Sequence, residues 1–96
     1  MAKYRVSKRA NANLIDIYVY GSEQFGERRA VAYQKSLQAC FEVIARHPKI
    51  GRTSPTIRPG LRRHEHGSHV ILYREESDSV LIIAVLHGRS IRGLKL

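Results

Sequence analysis

The chain has no tryptophan, one cysteine and no apolar run longer than the seven residues VLIIAVL. A run that short falls well below the roughly 20 residues a membrane helix needs. Cys40 has no second thiol to pair with, which excludes an internal disulfide and suits a reducing cytoplasm. It sits within an apolar helical pattern and reads as a small core residue. The start MAKYRVSKRA has no apolar stretch behind its charges, so it does not read as a secretory signal. Repeats, low-complexity tracts and linkers are also missing. The 96 residues (1–96) read as one domain, and an apolar fraction of 43% sets it apart from disordered chains.

Acid is scarce in a more informative way. The net charge is +9, and two stretches hold no acid at all. Between Glu42 and Glu65 lie Arg46, Lys49, Arg52, Arg58, Arg62 and Arg63; after Asp78 come Arg89, Arg92 and Lys95. A solvated basic surface is the plain reading. Charge this segregated also suits an acidic protein or a nucleic acid as partner.

Periodicity supplies the elements. KYRVS (Lys3 to Ser7) alternates as a short strand, and Ser7 is placed to cap a helix. Lys8 and Arg9 then oppose the helix dipole, which invites an outside anion or acidic group. The first helix carries Ala10, Leu14, Ile17 and Gly21, and Gly26 in QFGE is expected to end it in a left-handed cap. A second helix runs from about Glu27 with the stripe Ala30, Tyr33, Leu37, Phe41 and Ile44, and stops before Pro48. The two form a helical hairpin. PKIGRTSPTIRPG is a proline-punctuated loop. Strands follow at about Leu61 to His66, Ser68 to Glu75 and Val80 to His87, with EESDS turning between the last two. The class is α+β, strand–helix–helix–three strands, with an antiparallel sheet against the hairpin. VLIIAVLH is apolar on both faces, hence a central strand covered from both sides. Two helices cover one face only, so the other face needs a partner or the chain's own loops.

The chemistry-bearing stretch is RRHEHGSHVILYR, Arg62 to Arg74. His64 and His66 share a strand face and could chelate, but no cysteine or spaced carboxylate completes a metal site, so hydrogen bonding to a loop carbonyl is the better account. RNA cleavage needs a base, a phosphate-holding cation and an acid. Arg63, Glu65 and His87 offer those groups, yet Arg63 and Glu65 share a face and can simply pair.

The block YRVSKRANANLIDIYVYGSEQFGERRAVAYQKSLQACFEVIARHPKIGR, followed by GLRRHEHGSHVILYR and IIAVLHGR, resembles ParE, the toxin of bacterial toxin–antitoxin pairs in the RelE/ParE superfamily. The likeness spans nearly the whole chain and includes the turn at His47, Pro48, Gly51 and Arg52. It implies the fold already read from the residues. It also implies a cognate ParD-like antitoxin in a hetero-oligomer, with DNA contacted only through that antitoxin. ParE toxins are described as inhibiting DNA gyrase, whereas RelE relatives cut messenger RNA on the ribosome. Arg63 matches the strand position of the nucleases' phosphate-binding arginine, but the tail GRSIRGLKL lacks their tyrosine or histidine, and the loop lacks their extra lysines. An incomplete set points to binding rather than catalysis.

The expectation is therefore a cytoplasmic, non-enzymatic gyrase inhibitor without metal, cofactor or membrane contact. A ribosome-dependent endoribonuclease is the alternative. Arg62, Arg63, Arg89, Arg92 and Lys95 are the candidates for gyrase contact and toxicity, with Arg62 and Arg63 read as an exposed cationic edge. Tyr18, Phe25, Tyr33 and Phe41, on the hairpin beside an open sheet edge, are the candidates for antitoxin binding, with core packing the better account of Tyr33 and Phe41. His69 and Tyr73 read as packing residues.

Overall fold

A computed structural model describes residues 3–96; Met1 and Ala2, the first two residues of the stretch weighed as a secretory signal, lie outside it. The chain runs β1 (Tyr4–Val6), α1 (Lys8–Phe25), α2 (Glu27–Arg46), β2 (Arg52–Thr53), β3 (Arg62–His66), β4 (His69–Glu75) and β5 (Val80–His87), then a short 3-10 turn at Gly88–Ser90. The strands form one sheet in the order β1-β5-β4-β3-β2. The class is α+β as expected, but the sheet is mixed. β1 pairs with β5 in parallel, Tyr4 opposite Val80 and Val6 opposite Ile82, while the other pairs are antiparallel.

Ser7 joins the first helix to the sheet. Its Oγ accepts from the Ala10 N–H at 3.0 Å as the N-cap, and donates to the Ile83 carbonyl at 2.7 Å. Gly26 is the whole link between the helices, at φ 91 and ψ 157. The φ is positive as expected, but ψ is extended rather than left-handed helical, a combination open almost only to glycine. The stripe of α2 lies against the sheet, with Ala30, Leu37, Phe41 and Ile44 buried. Phe41 packs edge-on against Tyr4, ring centroids 5.5 Å apart.

Each sheet face has its own core. The helix side holds Leu37, Phe41, Ile44, Ile71, Tyr73, Val80, Ile82 and Val85. The far side holds Ile57, Leu61, Val70, Leu72, Ile83, Ala84 and Ile91, with Leu94 and Leu96 against them. A bulge lies where Leu72 pairs Ala84 and Tyr73 pairs Ile82, so consecutive Ile83 and Ala84 serve the same face. The far face is thus covered by the chain's own loop and tail. Ile57 and Leu61 come from the proline loop, and the Leu96 N–H donates to the Ile57 carbonyl at 3.0 Å. Among the described residues no helix is long and apolar enough to cross a membrane.

Two further expectations change. β2, hidden in the proline loop, pairs outside β3, with Arg52 opposite Arg63 and Thr53 opposite Arg62. Arg62 and Arg63 are therefore not an exposed edge; their side chains are 21% and 24% exposed. The tail, read only as basic, is also a packing element.

Candidate functional site

At the Gly26 end of the hairpin, α1 and α2 part from the sheet and leave a groove of about 450 Å³. Ile17, Tyr20 and Phe25 of α1 and Ala30 of α2 form its apolar wall. Tyr33, Ser68, His69 and His87 form the opposite side, and Arg29 stands at the rim. Tyr20 and Phe25 are 62% and 59% exposed, although both are large and aromatic. Each exposes area of the kind that anchors a protein partner.

The floor of the groove is a hydrogen-bonded ring network. The Tyr33 hydroxyl lies 2.6 Å from His69 Nδ1 and 3.2 Å from the His66 carbonyl. His66 Nε2 meets Ser36 Oγ at 2.9 Å. The His69 and His87 rings meet edge-on with centroids 5.8 Å apart, and His87 Nδ1 accepts from the Arg89 N–H at 3.2 Å. Burial pushes the His69 imidazole below its usual pKa, and the charges of His87 and His66 push it further. Burial and His64 do the same to His66. The Tyr33 phenol is raised, first by burial and then by Cys40. His69, His66 and Tyr33 therefore stay uncharged near neutral pH, and Arg29 supplies the cation at the rim. Such a surface suits an amphipathic segment with an apolar face and acidic flanks.

The four aromatics expected to meet a partner separate. Phe25 and Tyr33 line the groove. Tyr18 is half-buried, its hydroxyl donating to Glu27 Oε1 at 3.4 Å, and does not line it. Phe41 is 1% exposed and belongs to the core, as the plain reading held. Tyr20, Arg29 and His87 were not singled out for this role, and His69 was read as packing only. Tyr20 follows Ile17 by three and so shares its helix face, which was the available signal.

The five candidate cations also divide. Arg62 points to the helix side, where its Nη1 donates to the Gly51 carbonyl at 2.7 Å and its Nε lies 3.4 Å from Glu75 Oε1. Arg63 points to the opposite face, 3.3 Å from Glu65 Oε1. Burial alone would raise the Glu65 carboxyl, but the hydrogen bond and charge of Arg52, with the charge of Arg63, bring it below its usual range. Arg63, Arg92 and Lys95 line one cleft. Arg89 is exposed and does not line that cleft; its N–H meets His87. Among the described residues no three His, Cys, Asp or Glu side chains gather to hold a metal.

Residues 4–92 match the family described as the ParE toxin of the type II toxin–antitoxin system parDE. Toxin ParE1 of Caulobacter vibrioides is 45% identical over 87 residues, covering 91% of this chain and 90% of the relative. In shape, the chain is similar to one in the chromosomal ParDE toxin–antitoxin system of P. aeruginosa, with TM-score 0.77 at 18% identity over 91% of this chain and 96% of that one. It is also similar to one in the toxin–antitoxin complex RelBE2 of Mycobacterium tuberculosis, with TM-score 0.64 at 20% identity over 90% and 96%.

Proposed function

This chain belongs to the ParE toxin family of type II toxin–antitoxin systems, and we propose that it acts in the cytoplasm by binding and poisoning DNA gyrase and is neutralised by a ParD-like antitoxin seated in the groove. The groove is the observation that carries the antitoxin half of this reading. Tyr20 and Phe25 stand open on its wall, and Arg29 at its rim can meet an acidic side chain. A disordered acidic segment that folds on contact would bury those rings and offset the net charge of +9. DNA is then reached only through the antitoxin in the hetero-oligomer.

Binding rather than cutting is supported by where the ionisable groups lie. Arg63 and Glu65 face away from the helices and engage each other, whereas His87 turns into the groove on the helix side against His69. A general base, a phosphate-holding cation and an acid must converge on one atom, and the sheet stands between these. The resemblance to ParE toxins supports gyrase as the target, and Arg62, Arg63, Arg89, Arg92 and Lys95 are proposed for the toxic contact on their charge.

The test is plasmid cleavage and supercoiling by purified gyrase with the chain added and then titrated by its antitoxin. Accumulating linear plasmid, reversed by antitoxin, is the expected result. Normal supercoiling in the presence of folded chain, together with transcripts cut on ribosomes, would replace this mechanism with the nuclease one.

A further inference from the structure

Three histidines stand in one row across the sheet at the floor of the groove. His66 is opposite His69 between β3 and β4, and His69 is opposite His87 between β4 and β5. Residues opposite one another on neighbouring strands bring their side chains together on one face. His69 is the middle member, with the Tyr33 hydroxyl of α2 2.6 Å from its Nδ1. Gly67 closes the β3–β4 turn at φ 58, and a Cβ added there would lie 2.9 Å from that hydroxyl. Close packing as well as hydrogen bonding therefore fixes Tyr33 against His69.

One nitrogen of each outer-facing ring is already engaged, which decides where the proton sits. His87 Nδ1 accepts the Arg89 N–H and caps the 3-10 turn, so the neutral ring carries its proton on Nε2. The Tyr33 hydroxyl has two acceptors in reach, His69 Nδ1 and the His66 carbonyl at 3.2 Å. With the O–H turned to Nδ1, a neutral His69 also carries its proton on Nε2. With His69 charged, Nδ1–H donates to the Tyr33 oxygen and the hydroxyl proton turns to the His66 carbonyl. Neither state loses a hydrogen bond, and both leave Nε2–H free. Among the described residues, His69 Nε2 has no partner, and Arg63 Nε is the one buried side-chain nitrogen or oxygen without one. His69 Nε2 is therefore accessible, on the groove that His69 lines. No carboxylate lines that groove.

We infer that His69 and His87 form a carboxylate subsite in the groove, which seats one Asp or Glu side chain of the antitoxin segment and takes up a proton on His69 as it does so. Two ring N–H groups on neighbouring strands offer one donor to each carboxylate oxygen. The titratable and charged groups around His69 are Tyr33 and Arg29 of α2, Tyr20 of α1, His66 of β3 and His87 of β5. None is an acid, so the partner supplies the counter-charge. In the free chain burial, His87 and His66 all disfavour the charged ring. A carboxylate against Nε2 reverses the balance, while His87 keeps its cap and acts as a neutral donor. The bound state then holds more protons than the free one, so affinity rises as pH falls, by at most about tenfold per pH unit for one proton. The inference rests on the antitoxin reading of the groove and adds the group recognised there.

The experiment is calorimetric titration of the full chain with the purified ParD-like antitoxin at pH 6, 7 and 8, in buffers of different ionisation enthalpy so that proton uptake is counted. Amide NMR spectra at each pH check that every variant is folded. The expected result is affinity about fivefold or more higher at pH 6 than at pH 8, with net proton uptake. His69→Gln keeps an N–H donor and cannot take the charge, so its affinity should not rise as pH falls. Arg29→Ala should weaken binding at every pH and keep the rise. Titration of the antitoxin's own groups enters all these chains alike, so the difference belongs to His69. An equal rise in His69→Gln, or no rise in the unaltered chain while Phe25→Ala still weakens binding, would overturn the subsite and leave the groove reading standing. Phe25→Ala without effect on affinity would overturn both.

Discussion

The Tyr73 hydroxyl accepts the Gly51 N–H at 2.8 Å, and donates in turn to the Pro48 carbonyl at 2.7 Å. One fully buried side chain of β4 thereby fixes the exit from α2, the segment that turns into β2. An added Cβ at Gly51 would lie 2.5 Å from that hydroxyl and 2.7 Å from the Arg63 carbonyl. Glycine is required here by close approach, since Gly51 is not among the glycines with positive φ.

Gly51→Ala should accordingly destabilise the chain by about 1–3 kcal/mol through overpacking. Tyr73→Phe should cost a similar ~1–3 kcal/mol by leaving the Gly51 N–H and the Pro48 carbonyl without their partner. The double variant should lose less than the sum, because phenylalanine removes part of the clash. Urea unfolding of the three variants measures this. Full additivity would show that the two residues are not coupled.

Phe41 and Phe25 should respond in opposite ways. Phe41→Ala empties a buried site beside Tyr4 and should cost about 3–5 kcal/mol of folding stability. Phe25→Ala removes an exposed ring and should change stability by about 0.5 kcal/mol or less. It should still weaken antitoxin binding by about tenfold or more, as expected of an aromatic anchor. Calorimetry of folding and of antitoxin binding separates the two. Unchanged antitoxin affinity in Phe25→Ala would remove the groove from the interface.

The histidine network makes stability depend on pH. His69 faces Tyr33 from α2, His66 from β3 and His87 from β5, and burial followed by the charges of His87 and His66 lowers its folded-state pKa. In the unfolded chain it takes up a proton near its ordinary value of about 6.5. Below that pH the unfolded state binds more protons than the folded one. Its contribution is therefore complete above about pH 6.5 and is lost as pH falls toward the lower folded value. His66, lowered by burial and His64, adds in the same direction. Urea midpoints from pH 8 down to pH 5 should decline, and His69→Gln should flatten the decline. An equally steep decline in that variant would place the effect elsewhere.

Burial raises the Cys40 thiol above its usual pKa. Reactivity follows the thiolate. Alkylation by iodoacetamide at neutral pH should be slow in the native chain and fast after unfolding in urea. Comparable rates in both states would contradict the packing given to α2.

The readable parts of this fold were those with a strong local period. Leu37, Phe41 and Ile44 repeat at helical spacing and were buried as expected, and the apolar run of β5 is covered on both sides, although β4 and not β5 takes the centre of the sheet. β2 left no such signal, because two residues between prolines carry no alternation. The parallel pairing of β1 was equally silent, since direction is set by how the whole hairpin returns the chain and not by any residue in Tyr4–Val6. In the tail, Ile91, Leu94 and Leu96 were outshone by the cations between them, and their packing onto Ile57 needed the tertiary structure. The groove draws on both helices, the β3–β4 turn, β4 and β5, so only its aromatics could be guessed individually. The split of Arg62 from Arg63 was legible from strand alternation; their shielding by β2 was not.

In the function we propose, two surfaces divide the labour: the aromatic groove takes the antitoxin and the cationic tail makes the toxic contact. The direct measurement pairs antitoxin affinity with growth arrest for two variants, Tyr20→Ala/Phe25→Ala and Arg92→Ala/Lys95→Ala. All four positions are exposed, so both variants should fold. The groove variant should stay toxic on its own and escape the antitoxin, and the tail variant should bind antitoxin normally and lose toxicity. A groove variant held by antitoxin as tightly as the unaltered chain, or a tail variant that remains fully toxic, would contradict the account.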